Sequence, residues 1–554
     1  MKWDASYDVV VVGSGAAGLT AGLTARLRGM TSLVLEKTEY YGGSSALSGG
    51  AIWVPLNHYL EEAGVEDTVE NARAYLDATV GDRVPEELRE AYLQRGVEMV
   101  RYLHDHTKHL RFQYTPGYPD YYPEKPGGLP HGRSVEPLLF DLRLLGDERK
   151  NMRRANLPTH GMVMNSYEFH KVNMIKRIRQ GKKTAVKIGM RLMRTIFTGY
   201  RPAALGEALV GRLRLSLMEA GGELWLSTSF YDYVVEDGKV VGLIVERGGR
   251  KMYIQARRGV VLGSGGFSHN QHYREKYLPL PTSIAWTSSA EGQTGDIIEA
   301  SGRLGATFDL MDKVWGAPSA VPPGEKPFFL VADRGIPNMI VVNSEGWRYV
   351  NEAAPYHEFV DKMYEKNPPN SSTIPSWIIL DKTARSRYIF MGLFPGQAFP
   401  EKWVESGYIK KANSIAELAG MMEVPSDQLK ATVERFNGFA RAGRDEDFHR
   451  GDSAYDQYYG DPTLPNPNLA PLEKAPFYAI PIYPGDIGTK GGLVIDKHAR
   501  VLHIDGSPIK GLYAAGNCSA AVMGETYPGP GATLGPAMTF SYIATEHMVN
   551  IAES

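Results

Sequence analysis

The run Tyr7-Asp8-Val9-Val10-Val11-Val12 passes directly into Gly13-Ser14-Gly15-Ala16-Ala17-Gly18, and this junction constrains the fold more than any other segment. An unbroken apolar, β-branched run reads as a strand buried on both faces. After the glycines, Leu19, Leu23 and Leu27 share one helical face, and Gly29 is a stop signal. Ser32-Leu33-Val34-Leu35 supplies a second apolar strand that ends at Glu36. The spacing predicts a βαβ unit at the start of the chain.

The glycines fit G-x-G-x-x-G. Gly13 permits the tight turn, Gly15 lets the backbone approach a pyrophosphate, and Gly18 lets the helix pack on the sheet. The first helical turn, with Ala16 and Ala17, then presents unpaired N–H groups and a positive partial charge to phosphates. Glu36 lies 18 residues beyond Gly18, at a strand end, where its carboxylate can accept ribose hydroxyls. It would repel a 2′-phosphate, which disfavours NADP. Lys37, beside it, joins the cofactor-binding set.

FAD rather than NAD follows from other glycine clusters. Gly42-Gly43-Ser44-Ser45 and Ser48-Gly49-Gly50 follow the second strand and offer backbone donors and small side chains where a flavin ring could lie close. Gly263-Ser264-Gly265-Gly266 ends a later strand, and Gly511-Leu512-Tyr513-Ala514-Ala515-Gly516-Asn517 comes near the C-terminus. Gly265, Gly266, Gly516, Asn517, Thr533 and Leu534 complete the expected cofactor contacts. No histidine stands among residues 40–53, so the FAD is expected to be non-covalent.

The chain has 554 residues, with 61 Lys+Arg against 63 Asp+Glu and a formal net charge of −2. That balance excludes bulk disorder and a dedicated nucleic-acid binder, which would be strongly basic. A single cysteine, Cys518, excludes an intramolecular disulfide and a cysteine-based zinc site. No apolar run reaches the roughly 18 residues of a membrane span, and the strand beginning at Tyr7 leaves no room for a signal peptide. A cytoplasmic location is expected.

Residues 60–110 read as helical and 111–133 as an ordered loop rich in Tyr, Pro and Gly. From 203 to 267 the pattern returns to α/β, with Asp237-Gly238 as a hairpin turn between two strands. Pro279 and Pro281 mark one boundary, and the proline-rich stretch from Pro462 to Pro476 marks another. The expected architecture is α/β: a discontinuous Rossmann-like FAD-binding domain of residues 1–279 and 476–554, with an α+β catalytic domain inserted over 280–475.

These residues resemble the 3-ketosteroid dehydrogenases, flavoproteins related to the fumarate reductase and succinate dehydrogenase flavoprotein subunits. The resemblance covers nearly the whole chain. Its carriers are Gly13–Gly18, Tyr41-Gly42-Gly43, Pro119-Asp120-Tyr121, Asn351-Glu352 with Pro355-Tyr356, and Gly488-Thr489-Lys490-Gly491-Gly492. Gly511–Asn517 and Tyr527-Pro528-Gly529-Pro530-Gly531 complete it.

The resemblance implies that Tyr121, Tyr356, Tyr527 and the Gly531 N–H are the catalytic groups of a Δ1-dehydrogenase. Tyr527 and Gly531 would hold the C3 carbonyl oxygen of a 3-ketosteroid. Tyr356, helped by Tyr121, would remove a proton from C2 while the C1 hydride passes to flavin N5. Tyr118 and Tyr122 are near enough in sequence to replace Tyr121 as the partner. Independently, a C–H beside a ketone needs such a clamp, because two hydrogen bonds stabilise the developing enolate oxygen. A buried tyrosine base implies an alkaline activity optimum. The external electron acceptor is left open. The alternatives are a Δ4-dehydrogenase of the same family and a fumarate-reductase-like enoate reductase. The second needs Arg and His around a dicarboxylate, where this chain carries tyrosines.

Residues 148–205 read as an insertion relative to compact family members. From Phe169 to Gly206 there is no acidic residue, while Lys171, Lys182, Lys187 and Arg194 alternate with Met174, Ile188, Met190 and Phe197 among others. A basic, apolar helix suits an anionic membrane surface, and similar insertions occur in family members acting on cholest-4-en-3-one. Peripheral contact through about 165–200, at the inner face of the cell membrane, is one expectation. A solvated helix or an oligomer contact is the other. His104, His106 and His109 lack the spacing of a helical zinc pair, so no metal site is expected.

Overall fold

The computed structural model describes residues 2–155, 161–367 and 372–553. Strand Ala5–Val12 lies parallel to Ser32–Leu35 on one side and to Arg250–Leu262 on the other. The helix Ala16–Leu27 crosses between the first two, as the glycine spacing requires. An eight-stranded sheet grows around this unit, with Pro508–Ala514 parallel to Arg250–Leu262 and Glu223–Trp225 parallel to Ser32–Leu35. Thr228–Glu236 and Lys239–Arg247 form the expected hairpin, closed at Asp237-Gly238.

The register sets up the site. Val12 pairs with Leu35 and with Leu262, and Leu262 pairs with Ala514. Four strand ends therefore stop at one level, and Gly13, Glu36, Gly263 and Ala515 leave the sheet side by side. A ligand of an open α/β sheet binds in the crevice at these carboxyl ends. The C-terminal helix Leu534–Glu553 returns to pack on Ala16–Leu27 and on the long helix Glu86–His106.

A second, six-stranded sheet contains Val314–Ala320, Phe328–Phe329, Met339–Val342, Ser376–Leu380 and Lys410–Ala412 around a central strand Phe477–Thr489. It is buried on both faces. Ile378, Leu380 and Ile480 pack with Phe359 and Met363 of the helix Tyr356–Glu365. Ile340, Ile379 and Ala479 pack with Leu418, Leu429 and Phe436 on the other side. A boundary at 476 falls ahead of Phe477–Thr489, yet that strand pairs with Val314–Ala320, Ser376–Leu380 and Lys410–Ala412. The chain rejoins the first sheet only at Arg500–Leu502.

The basic segment is two helices, Ser166–Asn173 and Arg179–Thr198, not one. Asn165 and Glu168 form a capping box at the start of the first. Arg191 holds the Glu168 carboxylate with two bonds of 2.8 Å and ties the two helices together. Residues 156–160 of the insertion lie outside the described residues.

Candidate active site

One cavity of about 980 Å³ runs from the strand ends of the first sheet to the face of the second. That is the upper end of the usual range of roughly 300–1,000 Å³ for ligand sites. Its first half is a dinucleotide cradle. Gly13 has φ +103°, and a Cβ on Gly18 would stand 1.8 Å from the Gly13 oxygen, so helix and turn touch only because both are glycine. Gly15 caps the helix, and the Ala16 N–H is held by Ser45 Oγ at 2.9 Å.

Glu36 is poised for hydroxyls. Its carboxylate accepts the Ser14 hydroxyl at 2.5 Å and the Thr38 N–H and hydroxyl at 2.9 and 2.8 Å, and it lines the cavity. Lys37 also lines it, with Nζ 2.7 Å from Asp296. Ser44 Oγ accepts the Ala290 N–H at 2.7 Å and the Gln293 side-chain amide at 2.5 Å. Gly43, Ser48, Gly49, Gly50 and Ala17 line the cradle too, as do Gly265, Gly516, Asn517, Thr533 and Leu534. The helix opening at Leu534 presents a second N-terminus to the cavity, 518 residues after the first at Ala16. Two helix N-termini, glycine contacts that exclude a Cβ and a buried carboxylate for a ribose fit FAD along the whole wall.

Gly18, Gly42 and Gly266 do not reach the cavity. Gly18 packs on Gly13, the Gly42 N–H donates to Ser14 Oγ at 3.0 Å, and a Cβ on Gly266 would stand 1.9 Å from Thr489 Oγ1. Their smallness shapes the cradle from behind. Gln293, which also accepts the Gly266 N–H at 3.2 Å, was not legible in the sequence because nothing in its surroundings marks it.

The second half of the cavity is a cluster of tyrosines. The Tyr121 hydroxyl donates to the Tyr356 hydroxyl at 2.7 Å. The Tyr527 ring lies 5.0 Å from that of Tyr121 and 5.5 Å from that of Tyr356. All three are buried and line the cavity with Gly531. Tyr122 is turned away, its hydroxyl 2.9 Å from His357 Nε2. Tyr118 lines the cavity but pairs with Tyr459 at 2.8 Å. Of the three candidate partners, Tyr121 is the one hydrogen-bonded to Tyr356.

Each tyrosine is placed by backbone ties. Arg334, buried, donates to the carbonyls of Glu352 at 2.7 Å and Ala354 at 3.1 Å, just ahead of Tyr356 at the first position of its helix. Asp120 accepts Trp53 Nε1 at 2.8 Å and Arg133, which pins the loop before Tyr121. The Tyr121 N–H donates to the Pro528 carbonyl at 2.9 Å, and Tyr75 donates to the same oxygen at 2.6 Å. Ser134 holds the Pro530 carbonyl at 2.6 Å. Gly531 has φ +96°, and a Cβ there would stand 2.4 Å from the Ala51 oxygen.

Burial pushes the Tyr356 phenol well above 10, and the Tyr121 hydroxyl opposes the rise. Burial also raises Tyr527, while Tyr356, Thr533 and the Gly531 N–H favour its ionised form. A phenol O–H and a backbone N–H on one cavity wall are the pair needed to hold an enolate oxygen, and Tyr527 and Gly531 both line this cavity. Between the tyrosines and the insertion the cavity is apolar, with Phe329, Leu330, Met391, Met164 and Val172 on its walls.

The family model described as FAD binding domain matches residues 8–534. The 3-oxosteroid 1-dehydrogenase of Mycolicibacterium smegmatis is 48% identical over 553 residues, covering 97% of this chain and 96% of that protein. The enzyme of that name from Mycobacterium tuberculosis is 48% identical over 99% of both chains. The crystal structure of the 3-ketosteroid Δ1-dehydrogenase of Sterolibacterium denitrificans, in complex with 1,4-androstadiene-3,17-dione, superposes with a TM-score of 0.93. It is 42% identical and covers 99% of this chain and 100% of its own. With cradle and tyrosines on one cavity, this chain belongs to the FAD-dependent 3-oxosteroid 1-dehydrogenase family.

Proposed function

We propose that the protein introduces a C1–C2 double bond into 3-ketosteroids, with FAD as its non-covalent cofactor. The observation that carries this reading is the Tyr121–Tyr356 hydrogen bond of 2.7 Å on the same cavity as Tyr527, Gly531 and the FAD cradle. FAD, when bound, supplies the acceptor for the C1 hydride. Tyr527 O–H and Gly531 N–H receive the C3 carbonyl oxygen and strengthen as it gains charge. Tyr356, as its phenolate, takes the C2 proton, and the Tyr121 hydroxyl supports that phenolate. The apolar walls exclude water from the exchange.

The decisive experiment is anaerobic mixing of the flavin-loaded protein with androst-4-ene-3,17-dione and with cholest-4-en-3-one. The expected result is bleaching of the flavin and a 1,4-dien-3-one product. A flavin that stays oxidised with both steroids, or one that bleaches without a 1,4-dien-3-one product, overturns the reading.

The finer proposal is that the helix Arg179–Thr198 rests on an anionic membrane surface. Val186, Met190, Met193 and Phe197 form one exposed stripe at i, i+4, i+7 and i+11, flanked by lysines and arginines. Phe197 is 76% exposed. No described helix is long and apolar enough to cross a membrane. Val172, from the neighbouring helix, lines the cavity, so this contact supports delivery of a lipid-resident sterol to the slot. The cytoplasmic face of the membrane is the location this reading requires, with an external electron acceptor.

A further inference from the structure

The stretch Gly488-Thr489-Lys490-Gly491-Gly492 backs the cradle, with Thr489 against Gly266, and does not itself line the cavity, yet it contains a lysine that is 1% exposed. We propose that Lys490 is a positioning residue for the ketone clamp, holding the chain ahead of Tyr527 so that Tyr527 and Gly531 meet the C3 oxygen together. The inference rests on the Δ1-dehydrogenase reading and assigns to it a residue outside the tyrosine set.

Lys490 Nζ donates to the carbonyls of Glu525 at 2.6 Å and Thr526 at 2.7 Å, the two residues before Tyr527. It also lies 4.5 Å from the centre of the Trp315 ring. Trp315 packs edge-on against Tyr527 with ring centres 4.8 Å apart, and its Nε1 donates to Asn517 Oδ1 at 3.1 Å on the FAD wall. Backbone and side chain thus close a ring from Lys490 to Tyr527 to Trp315 and back. The lysine is itself anchored, its N–H donating to the Lys313 carbonyl at 2.9 Å and its own carbonyl accepting the Ala521 N–H at 3.0 Å.

The chemistry explains why a lysine stands here. Two consecutive carbonyls turned inward need two donors from one point, and Pro528 and Pro530 cannot supply N–H groups of their own. Among the described residues Nζ forms no ion pair with a carboxylate within 4 Å, so its donors are committed to the backbone. Burial pushes Lys490 down to about 7, with Asp361 and Glu525 opposing and Lys313 adding to the fall. An amine retains two N–H bonds where the ammonium has three, so both carbonyls stay held on either side of that titration.

The test uses the flavin-loaded Lys490→Met variant, which keeps the length of the stem and removes the donors. The measured quantity is the ratio of dissociation constants for 1,4-androstadiene-3,17-dione and its 3-deoxy analogue, read from the oxidised flavin spectrum. In the variant the ketone's advantage should shrink by about tenfold, the size of one well-aligned hydrogen bond. Affinity for the 3-deoxy steroid should stay unchanged. kcat/KM should fall by about 100-fold, as expected for a misplaced clamp. Equal weakening of both ligands marks general support, and an unchanged ratio marks no role; either overturns the proposal. If Lys490→Met does not hold flavin, Lys490→Gln, whose amide stops one bond short of the Nζ position and so leaves the Glu525 and Thr526 carbonyls, is judged by the same ratio. Failure of the underlying reading shows separately, as a wild-type protein that does not distinguish the two ligands.

Discussion

At Tyr356 two demands compete. As the proposed base it must ionise, and its burial pushes the phenol well above 10. The Tyr121 hydroxyl at 2.7 Å is the donor that opposes this. Because the folded pKa is raised, the phenolate fraction grows by about tenfold per pH unit through neutral and mildly alkaline solution. kcat/KM under chemistry-limited conditions should therefore rise steadily from pH 6 to 10, and a flat profile would sink a phenolate base. Tyr121→Phe should move that rising limb to higher pH. Tyr356→Phe should lower kcat by on the order of 10³ with flavin content unchanged, measured by single-turnover flavin reduction. Gly531→Ala faces a different barrier. Its φ of +96° and the Ala51 oxygen 2.4 Å from a Cβ leave no room, so the loop must shift. Ketone binding should be lost together with about 1–3 kcal/mol of stability, read from calorimetry and steroid titration.

Elements were legible where local chemistry and global fold agree. The strand to Val12, the glycine turn and the helix Ala16–Leu27 follow from one short segment, because buried parallel strands and dinucleotide turns leave little choice of residue. Phe477–Thr489 was not legible as a central strand. Pro481, Pro484, Gly485 and Gly488 are marks of a loop or an edge, and only its neighbours on both sides, Val314–Ala320 and Ser376–Leu380, make it a strand. The basic segment was legible in composition but not in its break, since the chain turns at Met174–Ile178 without glycine or proline. For the helix Arg179–Thr198 the exposed stripe makes a direct prediction. Burying one phenylalanine in lipid is worth about 2 kcal/mol, so Phe197→Glu should weaken binding to anionic vesicles by at least about tenfold. Turnover of a water-dispersed androstenedione should be unaffected. Equal partitioning of both proteins in vesicle flotation would leave the helix a solvated face or an oligomer contact.

The whole molecule works by bringing two sheets to one cavity, and the tyrosines show why this escaped the sequence. Tyr121, Tyr356 and Tyr527 are separated by 235 and 171 residues, and nothing in their spacing records that their rings meet within 5.5 Å. Family motifs selected them, whereas periodicity could not. What keeps the second sheet presenting Tyr356 is a buried ionic core just behind it. Arg348 holds Glu352 at 2.8 Å and Asp445 at 2.7 Å, and Arg450 reaches Glu352 at 3.2 Å while donating to the Met339 and Ile336 carbonyls. Burial would raise both carboxyls, but the arginines overcome it and hold Glu352 and Asp445 below their ordinary 4.5 and 3.8. Groups whose folded pKa is depressed contribute stability above the unfolded value and lose it as pH falls through the folded one. The core should thus hold at neutral pH and weaken as the pH falls below the ordinary carboxyl values and through the depressed folded ones, where protonating either carboxyl leaves a buried guanidinium uncompensated. Glu352 is only four residues from Tyr356, so the failure should disturb the base before the first sheet unfolds. In an acid titration, the flavin-perturbing response to 1,4-androstadiene-3,17-dione should disappear at a higher pH than the flavin itself is released. Simultaneous loss of the two signals would mean that the ionic core supports the molecule as one unit and not the steroid half of its cavity.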